Sequence, residues 1–388
     1  MDFRLSAEQE RIREGVLKLC AGFGLDYWLE KDRHGGFPDD FVAALAEGGW
    51  LGIAMPVEHG GSGLGITEAA VMVQAIAESG AGFSGASACH INIFGLNPVV
   101  VFGNDEQKRR FLPPLIAGKD RACFGVTEPD AGLDTSRIKT RAVREGNGYR
   151  IDGKKIWTTT AQSANKILVL ARTTPLEQVK RPFEGISLFY TDLDRRHVEV
   201  REIEKMGRKA VDSNQVFFDG LKVPLEDRIG EEGRGFEYLL HGLNPERILI
   251  AAECVGLGRV ALARSATYAK DRVVFGRPIG QNQGIQHPLA ECWMELEAAN
   301  LMMLKAANLY DAGEPCGAEA NAAKYLGAEA AFKTCTQAVM THGGMGYAKE
   351  FHVERFLRES LIPRLAPVSP QLILSFIAER VLGLPKSY

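Results

Sequence analysis

The residue texture of this chain changes twice along its length, and those two changes limit its possible folds more than any single motif. From Met1 to about Gly118 apolar residues recur at helical spacing. Phe41, Ala44, Leu45 and Trp50 fall on one face, and Asp105 opens EQKRRFLPPLIAG with a capping signal. From Arg121 the runs shorten and fill with Val, Ile, Phe and Thr: RACFGVTEP, GYRIDGKKIWTT, KILVLART, GISLFYTDL and NQVFFDGLKVP. Short β-prone runs bounded by Gly, Asp and Asn predict an antiparallel β-domain. After Gly235 helical spacing returns, with long helices expected at about Pro245 to Arg272, Pro288 to Ala312 and Ala318 to Thr341. The order predicts an α+β chain of three domains: 1–120 helical, 121–232 antiparallel β, and 233–388 helical.

Composition excludes several classes. A chain of 388 residues is long enough to build sizeable cores in each domain. Its net charge of -3 provides no basic footprint for nucleic acid. Seven cysteines are scattered with no C-x-x-C pair, which argues for a reducing compartment and against a disulfide framework or a metal site. MDFRLSAEQERIREG has no apolar core of a signal peptide, and no stretch reads as an uninterrupted membrane span. The expectation is a cytoplasmic protein without membrane insertion.

Glycine motifs need sorting. Met55 to Gly65, MPVEHGGSGLG, reads as a loop between helices. GLGRVA, Gly256 to Ala261, matches the G-x-G-x-x-A dinucleotide fingerprint, but that fingerprint follows a strand. Here Ile248 to Cys254 continues a helical pattern into the glycines, so close helix packing is the stronger expectation. No Walker A run, H-E-x-x-H or G-x-S-x-G elbow occurs.

Six strings in fixed order carry the functional signal: PVEHGGSGLG, VTEPDAGLD, IWTT, KMGRKAVDSNQVFFDGLKVP, RVVFGRPIGQNQ and HGGMGY. Over essentially its entire length the chain resembles the flavin-dependent acyl-CoA dehydrogenase family. The resemblance implies an N-terminal helical domain, a middle antiparallel β-domain and a C-terminal four-helix bundle. It also implies FAD, an acyl-CoA substrate, transfer of electrons to an electron-transfer flavoprotein, and a homotetramer, a dimer of dimers, with flavin across a subunit interface. Phe124, Val126, Thr127, Trp157 and Thr159 match flavin-ring contacts. Arg272, Phe275 and Gln283 match contacts to the pyrophosphate and adenosine of a neighbouring subunit's FAD, a task suited to a planar guanidinium. Gly343 and Gly344 match a close backbone approach to cofactor. Leu133 stands where the family usually has a serine near the pyrophosphate or the substrate's thioester arm, and Met340 replaces a common glutamine.

The largest departure concerns the base. Abstracting an α proton while hydride leaves the β carbon calls for a carboxylate poised near neutral pH. In most of the family that glutamate lies in Y-E-G-T-x-Q, shortly after an R-D pair. Arg358 and Glu359 hold the R-D place here, and the string reads APVSPQ, which puts Pro367 at the base position. Ser369 and Gln371 retain the flavin-contact positions. Locally, Ser369 also suits an N-cap and Pro370 a first helical position, with Leu372, Ile373, Phe376, Ile377 and Val381 as a buried stripe.

Isovaleryl- and long-chain-type members carry the glutamate on another helix, immediately before an arginine. LNPERI matches that place, with Glu246 as base, Arg247 as the substrate-binding arginine and Asn244 near the CoA arm. A plainer account competes: Asn244 as N-cap, Pro245 at the first position, and Glu246 stabilised by the helix dipole, which would lower its pKa. Glu253, two turns on, is the lesser candidate. Two alternatives to dehydrogenation stand beside it: other flavin-site chemistry on a thioester, desulfinase- or oxidase-like, and a catalytically inactive flavoprotein.

Overall fold

The computed structural model describes residues 4–387. The chain begins with α1 (Ala7–Cys20), α2 (Leu25–His34), α3 (Asp39–Glu47), α4 (Ile66–Ile76), α5 (Gly82–Ile93), α6 (Asn97–Phe102) and α7 (Asp105–Ile116). Helix α7 is capped one residue earlier than the sequence suggests. Asn104 Oδ1 accepts from Gln107 N at 2.8 Å, and Gln107 Oε1 accepts from Asn104 N at 2.9 Å.

The run Ile66–Phe102 is long and apolar enough to cross a bilayer by length and composition, although Glu68 and Glu78 interrupt it. However, 78% of its most apolar window is buried inside the protein, and Gly80 and Gly82, with φ of 101° and 61°, break its helix. An inner core helix has the same composition as a span because protein surrounds it on all sides.

Eight strands follow: β1 (Ala122–Gly125), β2 (Arg141–Glu145), β3 (Gly148–Thr159), β4 (Lys166–Arg172), β5 (Ile186–Asp192), β6 (Val198–Glu202), β7 (Ser213–Pro224) and β8 (Arg228–Ile229). They form one sheet in the order β6-β7-β3-β2-β4-β5-β8, with β1 beside β4. Pairing is antiparallel except for β1 with β4 and a single parallel contact of β2 with β4. The unbroken apolar run of β4 has a simple cause: both its faces are covered. Leu168 and Leu170 pack with Leu112, Leu115 and Leu239 of the helices, whereas Ile167, Val169 and Ala171 pack with Ile151, Phe189 and Val216 of the sheet.

The last third holds three long helices, α8 (Gly235–Asp271), α9 (Gln283–Asp311) and α10 (Gly317–His342), then the shorter α11 (Val353–Ser360), α12 (Ile362–Leu365) and α13 (Pro370–Arg380). Helix α8 starts ten residues before Pro245, so Asn244 is no N-cap and Glu246 lies outside the first turn. Tyr238, Leu239 and Gly242 are buried and extend the packing face backward, so tertiary burial outweighs the cost of an internal proline, about 3 kcal/mol. Ser369 does cap α13, accepting from Leu372 N. Of the stripe assigned to α13 only Ile373 is buried, and Val381 is 53% exposed, because none of the described residues covers that face.

The glycines of GLGRVA pack helices. A Cβ on Gly256 would lie 2.3 Å from Gln74 O, and one on Gly258 would lie 2.4 Å from Leu296 Cδ2. Gly256→Val is therefore expected to destabilise the folded chain by about 1–3 kcal/mol through overpacking, read as a lowered midpoint in denaturant unfolding. An unchanged midpoint would mean that α4 can move away freely.

Candidate active site

Helices α5, α6 and α8 meet the end of β1 at a narrow cleft. Its walls are Phe94, Pro98, Phe124, Leu239, Gly242, Leu243 and Glu246. Two residues assigned from sequence to different tasks, Phe124 and Glu246, thus share one lining. Glu246 accepts no hydrogen bond among the described residues. Burial pushes its carboxyl up to about 7, against the downward pull of the Arg247 and Lys324 cations, while Glu253 adds a smaller upward push. The dipole argument for a lowered pKa disappears with the N-terminus it needed. Arg247 donates to Asn244 Oδ1 at 3.1 Å and keeps a buried Nε without a partner, a donor still to be satisfied.

Glu253, the lesser candidate, is wholly buried and already engaged. His90 Nδ1 and Glu253 Oε1 lie 2.6 Å apart, and His90 packs edge-on against Phe94. The pair ties α5 to α8 beyond the cleft.

On the sheet side, β3 breaks register with β7 between Lys155 and Thr158. Trp157, inside the break, has φ 60° and its side chain is 56% exposed. A left-handed tryptophan costs on the order of 1–3 kcal/mol, a strain that clusters at functional sites. The bulge turns the indole outward while Ile156 N donates to Thr127 O at 2.9 Å, so Thr127 and the strand carrying Trp157 and Thr159 are held together. Behind them, Lys155 is fully buried and donates to Val126 O at 3.0 Å and to Glu128 Oε1 at 2.9 Å. Burial lowers the Lys155 ammonium to about 8, and the adjacent Glu128 carboxylate opposes that. Burial raises Glu128, but Lys155 and the hydrogen bonds from Thr140 and Lys139 overcome it and leave the carboxyl below its usual range.

Other assigned residues lie apart from this cluster. Leu133 is 65% exposed in the loop after β1. Arg272 and Gln283 are exposed, flanking a hairpin whose tip, Phe275 at φ 52° and Gly276 at φ 78°, leaves the phenyl ring entirely in solvent. Arg272 has no side-chain hydrogen bond or salt bridge among the described residues. Gly343 and Gly344 follow α10, with nothing within 4 Å of a Cβ at either position. Ser369 spends its hydroxyl on the α13 cap, and Gln371 is exposed in the first turn.

This donor set fits an FAD. An outward indole, the Thr127 and Thr159 hydroxyls, two glycines with open space above them and an uncommitted guanidinium provide a flat contact, polar edge partners, a backbone approach and a phosphate donor. Among the buried cations that sequence reasoning missed are Lys155 and Lys324. Both were marked by periodicity: Lys155 alternates with buried Tyr149 and Ile151, and Lys324 lies at helical spacing from buried Ala320, Ala328 and Ala331.

Comparison with known proteins is consistent along the chain. The acyl-CoA dehydrogenase N-terminal, middle and C-terminal domain families match residues 6–119, 123–221 and 233–382. The acyl-CoA dehydrogenase fadE12 of Mycobacterium bovis is 37% identical, over 99% of this chain and 98% of that protein. The caffeyl-CoA reductase-Etf complex subunit CarC of Acetobacterium woodii is 32% identical over 85% of this chain and 86% of its own length. The solved butyryl-CoA dehydrogenase of Megasphaera elsdenii superposes with a TM-score of 0.93 at 29% identity, covering 98% of this chain and 100% of that one. In three consecutive domain matches, in full-length relatives and in fold, this chain belongs to the acyl-CoA dehydrogenase family.

Proposed function

We propose that the chain oxidises an acyl-CoA thioester to the α,β-enoyl-CoA with Glu246 as the base. The observation that carries this is the cleft itself, in which a carboxylate without hydrogen bonds faces the same space as a flavin-side residue, Phe124. FAD, the cofactor of this family, supplies the acceptor for the hydride that leaves the substrate's β carbon. Glu246 takes the α proton onto a carboxylate oxygen. Apolar walls exclude water from that oxygen, which raises its proton affinity into the useful range. Arg247 and Asn244 hold one another at the cleft's edge, where the CoA arm enters, and Leu133 offers that arm an apolar surface. Phe124, Val126, Thr127, Trp157, Thr159, Gly343, Gly344, Ser369 and Gln371 would hold the cofactor. Pro367 has no proton to exchange, so the base at the family's usual place is replaced.

The reading extends to assembly. Arg272, Phe275 and Gln283 serve the FAD of a neighbouring subunit in a homotetramer, supported by an aromatic hairpin tip that its own chain leaves bare and by exposed Leu374, Leu382 and Leu384 on α13 and the segment after it. An electron-transfer flavoprotein receives the electrons, supported by the Etf complex named for one relative. A reducing, cytoplasmic setting is supported by seven cysteines that are all free and buried. The domain limits 1–120, 121–232 and 233–388 belong to the same proposal.

Glu246→Gln should slow anaerobic bleaching of the flavin by acyl-CoA about 10²–10⁴-fold, with FAD still bound. A variant as fast as wild type would remove Glu246 from the mechanism. Wild-type kcat/KM should fall as pH drops below about 7, where the base becomes protonated.

Stability should show the same group with the opposite sense. Its folded pKa, about 7, lies above the ordinary 4.5, so its stabilising share is complete below 4.5 and is lost as pH rises through about 7. Relative to wild type, Glu246→Gln should gain stability between pH 5 and pH 8, by at most about 3 kcal/mol, read by denaturant unfolding at both values. A gap that narrows at pH 8 would contradict the raised pKa.

A further inference from the structure

One lysine occupies the inner face of α10. Ala320, Gly327, Ala328, Ala331, Cys335 and Ala338 form its buried stripe, and Lys324 stands among them with no exposure to solvent. Gly327 brings α10 close to α8, since a Cβ there would lie 3.2 Å from Ala251 O and 3.3 Å from Cys254 Cβ. Lys324, one turn earlier, is within electrostatic reach of Cys254, Arg247 and Glu246 on α8 and of Glu329 on its own helix. Its Nζ donates to Val368 O at 2.6 Å, the single hydrogen bond it makes among the described residues.

Val368 follows Pro367 and precedes Ser369, the cap of α13. The segment that lost the usual base is therefore fastened to the bundle core by a cation within electrostatic reach of the alternative base. A buried ammonium with one carbonyl partner is costly, and it persists where neighbouring charge compensates it. The charges that act on Glu246 are Arg247 and Glu253 from its own helix and Lys324 from α10. Arg247 spends one N–H on Asn244 and leaves its Nε spare, and Lys324 has two N–H bonds with no acceptor among the described residues.

We propose, resting on the assignment of Glu246 as base, that Lys324 is a positioning residue for the reaction: its ammonium clamps the Val368 carbonyl of the flavin-contact segment and favours the ionised form of Glu246. As the α proton moves to Glu246 the carboxylate loses its charge and Lys324 keeps its own, so its field favours later release of that proton. Lys324 gains and loses no bond in the step. Burial holds its ammonium at about 8, still cationic at neutral pH, so the field weakens on the alkaline side.

The test is an infrared titration of FAD-loaded protein, following the carbonyl band of protonated Glu246, identified by its loss in Glu246→Gln. Lys324→Met removes charge and clamp, whereas Lys324→Gln removes charge but can still donate to Val368 O. Both should move the midpoint upward by about one to two pH units, with the acid limb of kcat/KM moving alongside. FAD binding should weaken severalfold in Lys324→Met and recover in Lys324→Gln. Should Lys324→Met not fold, Lys324→Gln and the charge-retaining Lys324→Arg decide, the latter leaving the midpoint near wild type. An unmoved midpoint in a folded Gln variant would overturn the proposal. The infrared midpoint reports Glu246 whether or not it is the base, so a fully active Glu246→Gln would sink the base assignment separately.

Discussion

Helix α8 can pack closely on three sides, and the rest of the structure follows from that. Tyr238 and Leu239 join the core under the sheet, Ile248, Leu249, Ala251 and Ala252 join the amino-terminal core, and Cys254, Leu257 and Ala261 join the core around α10. One helix contributes to three hydrophobic clusters because its contacts are made through small residues. Gly256 meets the backbone of α4, Gly258 meets Leu296 of α9, and α10 brings its own Gly327 to Ala251. Interiors packed at crystal-like density leave such a helix little freedom to rotate. Its orientation fixes where Glu246 looks.

The polar groups buried around this helix are sparse and are mostly satisfied in pairs. Glu128 with Lys155 orders the loop after β1, His90 with Glu253 joins α5 to α8, and Lys324 holds Val368. Glu246 is an exception, a partly buried carboxylate with neither hydrogen bond nor salt bridge among the described residues. Removing a carboxylate from water without compensation shifts its proton equilibrium, and the protein tolerates that cost at the place where a proton must move.

Much of this was legible in the chain. Two changes of periodicity located the helical, β and helical parts, and strings such as IWTT and HGGMGY led to a family whose domains match in order. The start of α8 was not legible, because Asn244 and Pro245 form a persuasive local stop. Only the burial of Tyr238, Leu239 and Gly242 against other parts of the chain carries the helix through them. The same limit applies to α13. Its apolar stripe is real, yet the chain does not bury it, and a sequence pattern cannot tell a face covered from within from one covered by a neighbour. Lys155 and Lys324 were visible only as positions on apolar faces, since each donates to a backbone carbonyl, which leaves no mark in the sequence, and the carboxylate partner of Lys155, Glu128, is distant along the chain.

Gly242 differs from the other glycines of α8 in a way that bears on how such a cleft diversifies. A methyl group there would meet Phe94 O at 3.2 Å and Pro98 Cδ at 3.6 Å, close enough to press on the wall but not to collide with it. At Gly256 the same methyl would strike backbone at 2.3 Å. Evolutionary drift along this helix is therefore uneven. Descendants of this chain can trial a narrower acyl space at position 242 by a single substitution if the wall gives by a few tenths of an ångström, while nearly three turns of helix beyond the base the lineage stays locked to glycine.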